Sequence, residues 1–126
     1  MNILIWIAQI VLALVFVLAG GSKAFSPIGE LAMQIPWVSD TPVWVVRLAG
    51  YSELVGAVGV VLPSVTRVRP ELSWMAAGGL GLVMLMAAGF HLMRGEPQAI
   101  VVNVGLLIVS AAVLHGRRKL APISPR

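Results

Sequence analysis

The chain has no cysteine. That excludes disulfides, thiolate metal ligands and any dithiol relay carried by the chain itself. Charge is scarce too: 11% of residues are Asp, Glu, Lys or Arg, against about 25% in an ordinary soluble domain. The basic residues do not interleave with aromatics along one face, so the formal charge of +4 is no nucleic-acid footprint, and no nucleic-acid partner is expected. Catalytic signatures are also missing. There is no glycine-rich phosphate loop with a following lysine, no HExxH zinc motif and no Ser/His/Asp set in a suitable setting. No metal site is expected.

What the chain has in abundance is hydrocarbon: 59% apolar residues, against about 45–50% in soluble domains. A spanning helix needs about 20 mostly apolar residues. Four segments qualify, at about 3–23, 42–63, 70–93 and 98–115. Pro42 suits a first helical turn and Pro63 a stop. The first run, from Ile3 to Leu18, could pass for a signal-peptide core. No basic side chain precedes it and it is long for that role, so a retained helix is expected. The linkers 64–69 and 94–97 are short, which makes consecutive helices antiparallel neighbours. The segment 24–41 is longer and contains Pro27, Gly29, Met33, Pro36 and Trp37, a composition that suits a cap on the membrane surface. The expectation is one all-α transmembrane domain over 1–126, an antiparallel up-down four-helix bundle with a basic tail at 116–126.

The basic residues give a direction. Arg67, Arg69, Arg117, Arg118, Lys119 and Arg126 fall on the side shared by both termini, and Lys23, Arg47 and Arg94 toward the other. The positive-inside rule therefore puts both termini in the cytoplasm. Trp6 and Trp74 then lie near the inner interface, Trp37 and Trp44 near the outer one. The tail reads as a topology anchor touching anionic lipid.

Glu53 is the residue that this setting makes conspicuous. It lies within the apolar run from Gly50 to Pro63, and a carboxylate at the bilayer centre costs roughly 2.5 kcal/mol or more unless it faces the bundle interior or a wet cavity. At about 1.5 Å per residue, Glu53 and Asn103 both fall roughly 15–18 Å from the inner face, near the midplane. Ala49, Gly50, Glu53, Gly56, Ala57 and Val60 share one helix side, and such small residues allow close helix approach in lipid. Glu53 is therefore expected to point inward, paired with Asn103. Lys23, His91 and Arg47 complete a polar column toward the outer face. Glu53 and His91 are the candidate proton-transfer groups, with His91 as outward relay and Lys23 attracting an anionic or carbonyl group at the mouth. Gln9 reads as interhelical hydrogen-bond glue, and Arg94 as a side chain reaching the outer head groups.

Four pieces of the chain together resemble the DoxX-like family of small four-helix membrane proteins. They are Ala19-Gly20-Gly21-Ser22-Lys23, Glu53-Leu54-Val55-Gly56-Ala57 running to Leu62-Pro63, Phe90-His91-Leu92-Met93-Arg94-Gly95-Glu96, and Val102-Asn103. The resemblance implies a four-helix bundle whose recurring polar set is here Lys23, Glu53, His91 and Asn103, and a multi-pass location such as a bacterial inner membrane. Some members are named as membrane subunits of a thiosulfate:quinone oxidoreductase, others are associated with redox complexes, and an animal relative is a receptor-assembly chaperone.

Three functions are compatible with these residues. The first is a small-ligand or quinone-binding subunit of a membrane redox complex. No haem site, flavin motif or cysteine pair is legible, so electrons would come from a partner. The second is an assembly factor that offers its helices to a client membrane protein, without catalysis. The third is a small-solute transporter, which four helices without an inverted repeat make the least favoured. A homo-oligomer is compatible with each.

Overall fold

Proline and glycine set the ends of the helices. The computed structural model describes all 126 residues and contains helices and turns but no strand. Helix α1 spans Asn2–Phe25 and stops where Ser26 becomes extended, as a residue before proline does. A short helix, α2 (Ile28–Gln34), and a 3₁₀ turn (Pro36–Asp40) fill the following segment. Helix α3 spans Val43–Thr66, α4 Glu71–Arg94 and α5 Pro97–His115. A π-helical turn over Gly116–Leu120 extends α5, closed by the Ala121 N–H donating to the Gly116 carbonyl at 2.8 Å.

One boundary corrects the sequence reading. Pro63 does not end the second long helix, which continues to Thr66. A proline lacks only its own N–H, and with one turn left the later N–H groups still reach carbonyls four residues back, as Arg67 reaches Pro63. The stop comes instead at Arg67, in the left-handed region at φ 59°. The tail folds back on this turn. Arg67 Nε donates to the Ser124 carbonyl at 3.0 Å, and the Arg126 N–H donates to the Arg67 carbonyl at 3.1 Å.

Four helices are long and apolar enough to cross a membrane: α1, α3, α4, and α5 with its extension. Packed neighbours run α1–α3–α4–α5 and back to α1, an antiparallel ring with both termini at one end. Only 27 of the 126 residues are buried, and the outward faces carry Leu18, Val55, Leu82 and Val101. An apolar surface of that extent suits acyl chains rather than water. The core is Leu12, Phe16, Ala57, Val60, Ala77, Leu80, Met84 and Val113, drawn from all four spans. A second small core of Leu31, Val38 and Val46 seats α2 and the 3₁₀ turn on α3. The segment 24–41 is thus a folded cap at the end of the bundle opposite the termini, here called the cap end.

Helices α1 and α3 approach each other closely, and glycine permits it. A Cβ on Gly50 would lie 2.5 Å from the Ala24 amide nitrogen and 2.8 Å from the Gly20 carbonyl oxygen. These are backbone atoms and cannot step aside. Gly50→Ala is expected to cost about 1–3 kcal/mol by overpacking, read as a lower melting temperature in detergent. An unchanged value would contradict the close approach.

Candidate functional site

The Gly50 contact also fixes the depth of Lys23. The last turn of α1 packs beside Gly50, about 10 Å along α3 from its first residue. Lys23 is therefore held below the cap rather than at the membrane surface. Its Nζ donates to both oxygens of Glu53, at 2.6 and 2.9 Å. Glu53 is only 2% exposed. The expected Glu53–Asn103 pair is not formed; the carboxylate takes the ammonium instead, because the packing of the last turn of α1 against Gly50 brings Lys23 within reach of Glu53. A fork of two short charge-assisted bonds suits a carboxylate better than one amide donor.

Arg47 leaves the expected polar column. Its Nη1 donates to the carbonyls of Lys23 (3.0 Å) and Ser26 (2.7 Å). A cation on the last carbonyls of a helix complements its dipole and satisfies acceptors without an intrahelical partner. Arg47 thus anchors the end of α1 that carries Lys23.

Lys23, Glu53, His91 and Asn103 all line one cavity of about 370 Å³ between α3 and α4. Its apolar wall includes Val83, Met84, Ala87 and Phe90, and Trp37 and Thr41 from the cap close its top. Leu48, Ser52 and Met86 belong both to the wall and to the exposed outer surface, so the mouth opens sideways between the two helices.

Hydrogen-bonding capacity in the cavity is left over. Asn103 is 92% buried by its 8% exposure, and its Nδ2 has no partner. Such a buried unpaired donor costs about 1–3 kcal/mol. Lys23 has a third N–H beyond the two that Glu53 receives. His91 Nδ1 lies 3.1 Å from Glu96 Oε1. An ionised carboxylate only accepts, so Nδ1 carries the hydrogen and Nε2 is left for a ligand or a proton.

Local sequence explains the His91–Glu96 contact. Gly95, at φ 70°, ends α4 in the left-handed region, and the Glu96 N–H returns to the His91 carbonyl at 3.0 Å while Gly95 N–H reaches Leu92. This Schellman closure brings Glu96 back over the last turn. Arg94 then donates to Glu96 (2.7 Å) and to Asp40 of the cap (3.1 Å), so it latches the cap rather than reaching for head groups. Trp37, Phe90 and His91 meet edge to face at 5.4–6.3 Å between centroids.

The hydrogen bonds from His91 and then Arg94 hold the Glu96 carboxyl below the usual carboxylate range. A depressed folded value means that the stability it adds is present above the unfolded pKa of about 4.3 and is lost as pH falls through the lower folded one. Glu96→Gln is expected to lower the melting temperature at neutral pH, and the two melting curves should converge in acid. A difference that persists below the folded value would contradict the linkage.

A family model described as the DoxX-like family matches residues 7–113, which include all four long helices' central portions and every residue of the cavity. The chain belongs to the DoxX-like family. Neither a curated protein nor a solved structure matches it. The four polar residues singled out in the sequence are brought to one cavity by the fold. Trp37, Thr41, Ser52 and Met84 line it too, and sequence reasoning did not select them. Trp37 alone carried a usable signal, as an aromatic in the cap segment. The DoxX-like chain is a multi-pass membrane protein with four spans.

Proposed function

We propose that this cavity binds the head group of a lipid-soluble quinone, and that the protein serves as the quinone-binding subunit of a membrane redox assembly. The observation that carries the proposal is the unpartnered Asn103 Nδ2 on a sideways-opening cavity that already holds Lys23, Glu53 and His91. The unused groups are mainly donors, and a quinone offers two carbonyl acceptors on a flat apolar ring. Asn103 Nδ2 and the free Lys23 N–H orient the carbonyls, while Val83, Met84 and Phe90 hold the ring. His91 Nε2 and Glu53 are the groups able to hold or pass a proton. When an external donor reduces it, a quinone takes up protons at those oxygens, and the partner protein supplies the electrons.

The outer surface supports a ligand with a long tail. An apolar groove of about 640 Å³ continues along α3 and α4 from the same two wall residues, Ser52 and Val83, past Val55, Gly56, Gly59, Met75 and Gly79. Its small residues leave room for a methyl-branched chain lying against the bundle. The same groove is what a client helix would use in the assembly-factor reading. A photoreactive quinone distinguishes the two. Label on cavity peptides of α3 and α4, competed by excess unlabelled quinone, is the expected result. Unspecific label together with a protein held in the groove would replace this function with the second. Both termini are proposed to face the cytoplasm, on the distribution of basic residues alone.

A further inference from the structure

The end of the bundle that carries both termini holds a buried cation without a counter-ion. Arg117 is 3% exposed. Its Nε donates to Gln9 Oε1, and its Nη1 donates to Asn2 Oδ1 (2.6 Å) and the Ala121 carbonyl (3.0 Å). The guanidinium lies over the Trp6 ring at 4.8 Å. Every one of these partners is neutral, and Nη2 has none. No carboxylate forms an ion pair with Arg117. A buried charge is ordinarily paired, because desolvation without compensation costs several kcal/mol.

The sequence alone reads Arg117 as one more interfacial base. The fold instead fixes it in place. Gln9, which accepts from Arg117, donates to the Val60 carbonyl (2.6 Å) and to Ser64 Oγ (3.0 Å), and Ser64 donates to Ser73 Oγ (2.7 Å). Arg117 is thus the end of a hydrogen-bonded chain through α1, α3 and α4, and is held rigidly. Beside it is a cavity of about 180 Å³ whose wall includes Arg117, Arg118, Trp74 and Glu71, under the returning tail. Arg118 lies over the Trp74 ring at 5.2 Å. Glu71, the one acid there, is taken by Arg69 at 3.2 Å.

We propose that this cavity binds a phosphate group, with Arg117 Nη2 and the Arg118 guanidinium as its donors. Arginine is suited to this because its planar fork matches phosphate oxygens two at a time. The position at a bundle end, among basic residues where acyl chains give way to head groups, fits the phosphate of an anionic phospholipid. Free inorganic phosphate shares that chemistry and is the other source.

The test uses the full chain in detergent, titrated separately with phosphatidylglycerol, phosphatidylcholine and inorganic phosphate. Retained lipid is counted by native mass spectrometry and melting temperature is followed in parallel. Saturable retention of phosphatidylglycerol above phosphatidylcholine supports the lipid head group. A saturable rise in melting temperature with inorganic phosphate supports the site with the free anion as its source. Arg118→Gln leaves the bonds of Arg117 to Gln9 and Asn2 intact and is expected to weaken binding by at least about tenfold. The proposal is overturned if the two lipids are retained equally and inorganic phosphate does not bind saturably, or if Arg118→Gln and Arg117→Gln both bind as the parent does. Quinone binding at the cap end uses other residues and another probe, so either result can fail without the other.

Discussion

Glu53→Lys is expected to destabilise the bundle by at least about 3–5 kcal/mol, the cost of leaving a buried charge uncompensated. Lys23 Nζ sits 2.6 Å from the carboxylate. The substitution would leave two ammonium groups facing each other where one salt bridge stood, in a place that water does not dilute. Glu53→Gln keeps a carbonyl oxygen to accept one of the two bonds and is expected to cost clearly less. The double change Lys23→Met with Glu53→Leu removes both charges together. It is expected to melt close to the parent, since replacing a buried pair by apolar groups is often neutral or stabilising. It should nevertheless lose quinone binding. Melting temperatures in one detergent, measured for all three variants, check the order. Equal values for Glu53→Lys and Glu53→Gln would contradict it.

Asn103→Leu also separates binding from folding. The amide nitrogen is buried and makes no bond within the chain. Removing an unsatisfied donor relieves a penalty of about 1–3 kcal/mol, while leucine adds apolar contact on the cavity wall. The variant should therefore be as stable as the parent or more so, yet bind quinone at least about tenfold more weakly. Loss of stability would mean that the amide has an internal partner, and unchanged affinity would remove it from the site. Polar groups kept at the expense of stability are commonly the functional ones.

The membrane-spanning architecture was legible because apolar run length is a direct physical demand of the bilayer. Glu53 was legible for the same reason, as a charge in the wrong solvent. Its partner was not. Counting residues from the helix ends put Asn103 level with Glu53 and Lys23 at the surface, because that count takes all helix ends to lie in one plane. The cap breaks the assumption. Leu31 and Val38 pack on Val46, which seats α2 and its neighbouring turn on α3, and the last turn of α1 packs beside Gly50, well along α3 from its first residue. Nothing in the composition of 24–41 specified that depth. Arg117 was missed for a related reason. Its partner Gln9 is near the other end of the chain, and basic residues in a short tail ordinarily stay in water. Arg47 was selected for its charge but spends it on the backbone carbonyls of Lys23 and Ser26.

The cavity joining Lys23, Glu53, His91 and Asn103 is proposed to receive a quinone from the bilayer. Trp37 lines that cavity, which makes its fluorescence a local reporter. The decisive measurement is quenching by a short-chain quinone in nanodiscs, with Trp37 kept as the sole tryptophan. Saturable quenching that Asn103→Leu and Glu53→Gln both weaken is the predicted result. Quenching that rises linearly with quinone and is the same in all three proteins would contradict the account.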